Sequence, residues 1–197
     1  MMDQIIKLDT ELFLFLNGKH NTFLDPIMYW ASDKLFWVPF YLIIFLIILK
    51  AYKKRAVLIY FFIGILITLS DQISSSFFKP LTKRLRPSHE PAIADLVHLS
   101  EAGPGGMYGF VSGHATNSIA LFIFLTLILS KKFNWLKYTL CFWALLVSYS
   151  RIYVGVHYPG DVVGGILLGA VVGYAVGKLY LQTNLYTRTS YFKLWVN

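Results

Sequence analysis

Five apolar stretches, residues 35–49, 57–78, 115–129, 135–149 and 162–181, make up most of the chain between positions 35 and 181. A hydrocarbon core about 30 Å thick is crossed by roughly 20 apolar residues in a helix. The helix is required because no water is present in lipid to satisfy the backbone. Charged residues are only 14% of the sequence, where a soluble chain carries about a quarter, so little surface can face water. The expected fold is therefore all-α, a polytopic membrane helical bundle. Some stretches are short for a full crossing, so flanking residues join them or their ends snorkel.

Residues 1–33 are patterned differently. Ile5, Ile6, Leu8, Leu12, Phe13, Phe15 and Leu16 recur at roughly helical spacing, Asn17-Gly18 ends the run, and a short apolar piece follows over 23–30. These pieces read as two amphipathic, interfacial helices, with a sixth span as the alternative. The bundle then has five or six membrane helices plus the N-terminal pair. Asp3, Asp9 and Glu11 break the basic-then-apolar pattern of a cleavable signal, so insertion is left to the spans. Cys141, the single cysteine, sits in an apolar run as a core residue and can form no intrachain disulfide. Gly165, Gly169, Gly173 and Gly177 recur every four residues, a face that lets another helix approach closely.

The net charge of +8 is scattered between apolar stretches, not gathered on a polar face, which excludes a nucleic-acid partner. Lys50, Lys53, Lys54 and Arg55 follow the first stretch, and Lys131, Lys132 and Lys137 lie around the turn before the fourth. By the positive-inside rule both turns face the cytoplasm. Residues 79–114 and 151–161 then share the opposite face, where Lys79, Lys83, Arg84 and Arg86 run against the rule. Positive charge on the wrong side has a specific use, most simply an anion site.

The side chains on that face suit a phosphate ester. In the transition state of phosphoryl transfer, charge spreads over three oxygens and needs fixed positive groups around it. Arg86 and Arg151 offer planar forks that pair two oxygens at once, and Lys79 a point charge. Lys83 and Arg84 read instead as snorkelling interfacial residues. Ser112 is placed to cap the third stretch, and Gly113 lets a ligand approach the backbone. His157 and Asp161 are four apart around Pro159-Gly160. Pre-proline bias puts His157 in a loop and Asp161 in the first turn of the last helix. The carboxylate can then fix one imidazole nitrogen and present the other as a nucleophile, with His114 as the acid for the departing oxygen. His89, Glu90, Asp95, His98 and Glu101, among several glycines, read as a solvated, flexible outer loop whose spacing matches no metal site. His20 has no companion in the sequence. Asp71 is placed to orient Lys79 or to bond within the bundle.

These residues resemble the type-2 phosphatidic acid phosphatase family, which shares its motifs with vanadium haloperoxidases. Lys79 with Arg86-Pro87 matches the first motif. Ser112-Gly113-His114 matches the second, with Val111 where the family has proline. Ser150-Arg151, His157 and Asp161 match the third at full spacing. The resemblance implies a phosphohistidine on His157, held by Asp161. It implies His114 as acid and then as helper of water, with phosphate bound by Lys79, Arg86, Ser112, Gly113 and Arg151. It implies no metal and no other cofactor. It also implies a multi-pass protein of the bacterial cytoplasmic (inner) membrane with its site on the periplasmic or extracellular face.

The expected domain is single over 1–197: interfacial helices over 1–33, a catalytic bundle over 34–182 and a cytoplasmic tail over 183–197. The expected function is an integral membrane lipid phosphatase acting on a mono- or diphosphate ester. Its partners are the lipid phosphate and membrane lipids, and a homo-oligomer is left open. Undecaprenyl diphosphate or phosphatidylglycerophosphate is favoured, because the chain is short and lacks a headgroup domain. Phosphatidic acid, a lipid A phosphate and lipid-to-lipid phosphotransfer are alternatives. A non-enzymatic anion transporter would need polar residues through the bilayer midplane, where the stretches have few. A haloperoxidase would need a large soluble scaffold.

Overall fold

Each apolar stretch forms a helix, and the chain turns where basic or small residues gather. In the computed structural model the backbone of residues 2–194 and the side chains of residues 3–183 are described. Helices α1 (Met2–Asn17) and α2 (Leu24–Ser32) come first. Helices α3 (Val38–Tyr52) and α4 (Ala56–Gln72) form a hairpin around a tight turn at Lys53–Arg55. The Tyr60 hydroxyl donates to the Phe45 carbonyl at 2.7 Å and the two rings stack at 4.4 Å, closing the hairpin. One wide π turn, Ile73–Phe78, carries α4 into the short α5 (Lys79–Thr82). Such turns often mark functional sites. A loop over 83–112 leads to α6 (Gly113–Ile128), then α7 (Asn134–Tyr153) and α8 (Pro159–Leu194). Among the described residues there is no strand beyond an isolated bridge between Leu85 and Tyr108.

Helix α6 lies at the centre. Its Ile119, Ala120, Phe124 and Leu125 are buried against Ile59 and Leu66 of α4, Leu140 and Ala144 of α7, and Val172 and Val176 of α8. The glycine face of α8 is what permits this. A Cβ at Gly165 would stand 2.6 Å from the Ser112 carbonyl, and one at Gly173 would stand 2.6 Å from the Ala120 carbonyl. The helix-packing role read from the spacing is therefore the observed one. Gly173→Leu, far along the helix from the polar end, must push two backbones apart. Overpacking of this kind costs about 1–3 kcal/mol. Thermal unfolding in detergent should show a clear fall in Tm.

Outward faces are apolar: Leu42 and Leu46 on α3, Phe142 and Leu145 on α7, and Leu167 and Val171 on α8 are all exposed. Among the described residues two helical runs are long and apolar enough to cross a bilayer, Val38–Thr82, which contains the α3–α4 hairpin, and Pro159–Thr183. Gly113–Ile128 is apolar but shorter. Helices α1 and α2, at 16 and 9 residues, are shorter than the roughly 20 of a crossing helix, as are α3 and α6 taken alone, at 15 and 16. Helix α1 buries Phe13 and Asn17 and leaves Ile5, Ile6, Leu8 and Leu12 exposed. The tail expected over 183–197 begins within α8, and residues 195–197 lie outside the described residues.

The two basic turns sit at one end. Tyr52 joins them: its hydroxyl donates to the Ile128 carbonyl at 3.3 Å and accepts from the Ser130 amide at 3.2 Å. The hairpin geometry sends the end of α4, the start of α6, the end of α7 and the start of α8 to the other end.

Candidate active site

Helix α7 does not stop with its apolar run at residue 149; it continues to Tyr153 and carries Ser150 and Arg151 into the polar end. Gly155, at φ +85, then reverses the chain, and the His157 amide donates back to the Arg151 carbonyl at 3.2 Å. Pro159 opens α8, as its preset φ favours at a first helical position. His157 is thus in the loop and Asp161 in the first helical turn, as the sequence predicts. Asp161 Oδ2 accepts the Tyr158 amide at 3.1 Å and faces His157 Nδ1 at 3.4 Å, the long end of hydrogen-bond range. Both side chains are buried. The Ser112 amide donates to the Asp161 carbonyl at 2.9 Å and ties the start of α6 to this turn.

The other carboxylate oxygen, Asp161 Oδ1, accepts from Arg84 Nη1 at 2.8 Å, and Arg84 Nη2 reaches Asp9 Oδ2 at 2.7 Å. Asp9 Oδ1 accepts the Gly160 amide at 2.7 Å, and the guanidinium lies 4.2 Å above the Tyr158 ring. The reading of Arg84 as a snorkelling residue is overturned: it is a half-buried bridge between two acids. Sequence reasoning missed Asp9 as well, because nothing in α1 signals a contact so distant along the chain. Lys83 is exposed, in keeping with its interfacial reading.

Arg86 is buried, and its Nε donates to the Tyr108 carbonyl at 3.2 Å. The outer loop is packed around it. A Cβ at Gly109 would come within 2.8 Å of Asp161 Oδ2 and 3.3 Å of Arg86 Cγ. Ile93 is buried with Phe13, Ala115, Ile152 and Tyr158. The Asn17 side chain accepts the His98 amide at 2.8 Å and donates to the His98 carbonyl at 3.0 Å. The loop read as flexible and solvated is thus packed behind the site in part: Gly105 and Gly109 allow close approach to Arg86 and Asp161, while Gly103 and Gly106 meet nothing and residues 104–107 are exposed, as the sequence reading has it. Arg151, nearly buried, donates from Nη1 to the Ser32 hydroxyl and carbonyl of α2. Ser112 holds the N-cap position of α6 without a side-chain cap bond, and its Oγ is buried without a partner, as is Arg151 Nε.

Lys79, Arg86, Gly113, His114, Arg151 and His157 line one cavity of about 1010 Å³, and the buried Ser112 and Asp161 stand behind them, off its lining. Asp71 and Lys34 stand at its polar belt, and it runs on between α3, α4 and α7 past Ile44, Ile48, Ile63 and Trp143. Asp71 shares the cavity with Lys79 but makes no ion pair with it. Burial, and then the positive fields of Arg86, Arg151 and Lys79, hold His157 well below its ordinary pKa, so the ring is neutral and keeps a lone pair. His20 does have a companion: its ring stacks on His98 at 3.7 Å, outside this cavity.

A neutral, carboxylate-held imidazole among three cations, at the mouth of an apolar groove, defines a phosphate-handling site in a membrane protein. The chain belongs to the PAP2 superfamily, whose family profile matches residues 60–184. It is 43% identical over 176 residues to a lipid A 4'-phosphatase of Bacteroides thetaiotaomicron, covering 88% of this chain and 77% of that one. It is 31% identical over 182 residues to an undecaprenyl-diphosphatase of Sulfolobus acidocaldarius, covering 87% and 78%. The crystal structure of Aquifex aeolicus LpxE superposes with a TM-score of 0.67 at 28% identity, covering 87% of this chain and 95% of that one. The protein is a membrane lipid phosphatase of this superfamily.

Proposed function

We propose that the protein hydrolyses the phosphate monoester of a lipid A-type glycolipid through a covalent phosphohistidine. The observation that carries this reading is the continuous cavity, which joins the cation cluster to an apolar groove. A lipid whose phosphate lies among the cations can place its chains between α3, α4 and α7.

His157 Nε2, with Nδ1–H directed at Asp161, attacks phosphorus in line with the ester oxygen. As the N–P bond forms, the P–O bond to the lipid breaks, and His114 gives the departing oxygen a proton. The dianion's arrival among the cations favours the protonated His114 this step needs. Water then attacks the phosphohistidine, His114 takes its proton, and the N–P bond breaks to leave inorganic phosphate and neutral His157. Lys79, Arg86 and Arg151, with the Ser112 hydroxyl and the Gly113 amide, hold the three non-bridging oxygens. These groups carry the charge that a metal supplies in other phosphatases.

The similarity to a lipid A 4'-phosphatase moves the preferred substrate away from undecaprenyl diphosphate and phosphatidylglycerophosphate. Undecaprenyl diphosphate stands second, on the more distant relative. With the basic turns cytoplasmic, α3, α4, α6, α7 and α8 cross the bacterial inner membrane, α3 and α6, at 15 and 16 residues, with the help of flanking residues. The cavity then opens on the periplasmic side, with 1–33 at the interface and 183–197 as a cytoplasmic tail.

In detergent with EDTA present, phosphate release from bis-phosphorylated lipid A should exceed that from undecaprenyl diphosphate by roughly tenfold or more. Equal rates would sink the substrate assignment. A strict need for an added divalent ion would sink the mechanism.

A further inference from the structure

We propose that His20, Asp25 and His98 form a second site, for a divalent transition-metal ion of the zinc class, that clips the outer loop to the N-terminal helices. The three residues come from separate elements: the turn after α1, the first turn of α2, and the loop over 83–112. Their ligating atoms lie within 4.8 Å of one another. His98 Nε2 stands 3.4 Å from Asp25 Oδ1. Ligands placed about 2.0–2.1 Å from a tetrahedral zinc are separated by roughly 3.3–3.4 Å, so this pair already has the spacing of one tetrahedral edge.

His98 Nε2 is buried and makes no hydrogen bond, even to the carboxylate beside it. Buried polar atoms are rarely left so, and a metal would supply the missing partner. The surroundings fix two of the three ligands in position. Tyr153 donates its hydroxyl to Asp25 Oδ1 at 2.7 Å, and Asn17 clamps the His98 backbone on both sides. Asp25 and His98 are thus held in advance. His20 is exposed and lies parallel to His98, with an interplanar angle of 4°. Parallel rings cannot both point lone pairs at one ion, so one must turn, and exposed His20 is the ring free to do so. Water completes the tetrahedron.

The clip acts on stability and not on the reaction. Asp25 and Ser32 are both on α2, and Ser32 holds Arg151, so the ion would stiffen the contact behind the phosphate cradle without touching it.

The test uses full-length protein purified in detergent with a tag that lacks histidine, stripped by chelator and then given ZnCl2 or MgCl2. About one zinc per chain should survive desalting, by elemental analysis, and Tm should rise; magnesium should do neither. His20→Ala, at an exposed position, should weaken zinc retention roughly tenfold or more and cancel the Tm rise, while phosphate release continues. His157→Ala should retain zinc as the wild type does. Substoichiometric zinc, or retention in His20→Ala equal to wild type, would overturn the site. Zinc lost in His157→Ala but kept in His20→Ala would place the ion in the catalytic cavity and overturn it as well.

Discussion

Replacing His157 with alanine should abolish phosphate release, lowering kcat by about 10⁴-fold or more. In the proposed mechanism this ring is the nucleophile, and the groups nearest it are poorly placed to replace it. His114 is the neighbouring imidazole, but it lacks a carboxylate to hold its tautomer, and the Asp161 carboxylate is fully engaged by Arg84, the Tyr158 amide and His157. The fold should survive, because His157 is neutral and its removal strands no charge. Thermal unfolding in detergent checks that point. Acid quenching with a labelled substrate gives a second reading: a phosphoenzyme in the wild type and none in His157→Ala. His114→Ala separates the two imidazoles. With a lipid substrate it should lose most activity, and with an aryl phosphate, whose leaving group needs no proton, it should still form phosphoenzyme. Activity in His157→Ala within tenfold of wild type would end the phosphohistidine assignment.

Local pattern carried much of the architecture. The five apolar stretches each became a helix, the pre-proline position put His157 in a loop, and the glycine spacing of α8 marked its seam with α6. These are features that a few neighbouring residues decide. The features that were hidden depend on contacts distant along the chain. Arg84 meets partners 75 and 77 residues away, and no periodicity distinguishes it from Lys83, which does face outward. Asn17 looked like a helix end and is also a buried cross-link to the outer loop and α7. The glycines of the outer loop suggested mobility by composition. Two of them, Gly105 and Gly109, are packed against Arg86 and Asp161 and permit a close approach that larger residues would block, whereas Gly103 and Gly106 meet nothing. The end of α7 lies beyond its apolar stretch, where flanking residues join it. Hydropathy stops at Ser150-Arg151, whereas the helix goes on to Tyr153, with the arginine received by Ser32.

Arg84→Ala should destabilise the protein by about 3–5 kcal/mol, the cost of removing one partner from a buried ion pair, and lower kcat by roughly 10²-fold. Arg84 bridges two acids, and its loss leaves Asp161, 0% exposed, without its cation and with Asp9 still in place. A buried carboxylate so stranded takes up a proton. It then no longer holds His157 Nδ1–H, and the nucleophile loses its fixed tautomer. Arg84 is not on the cavity lining, so KM for the lipid should change little. That split between kcat and KM separates a positioning residue from a phosphate ligand: Arg86→Ala should raise KM as well. Arg84→Lys offers one point charge where a fork spans two carboxylates, and should recover only part of the loss. Asp9→Asn keeps an acceptor for the Gly160 amide and removes the second acid. Added to Arg84→Ala it should restore stability in part, because a single buried carboxylate costs less than two. Unfolding curves and steady-state kinetics on the four variants test the bridge directly. Wild-type values for Arg84→Ala would return this arginine to the snorkelling role that its sequence position suggests.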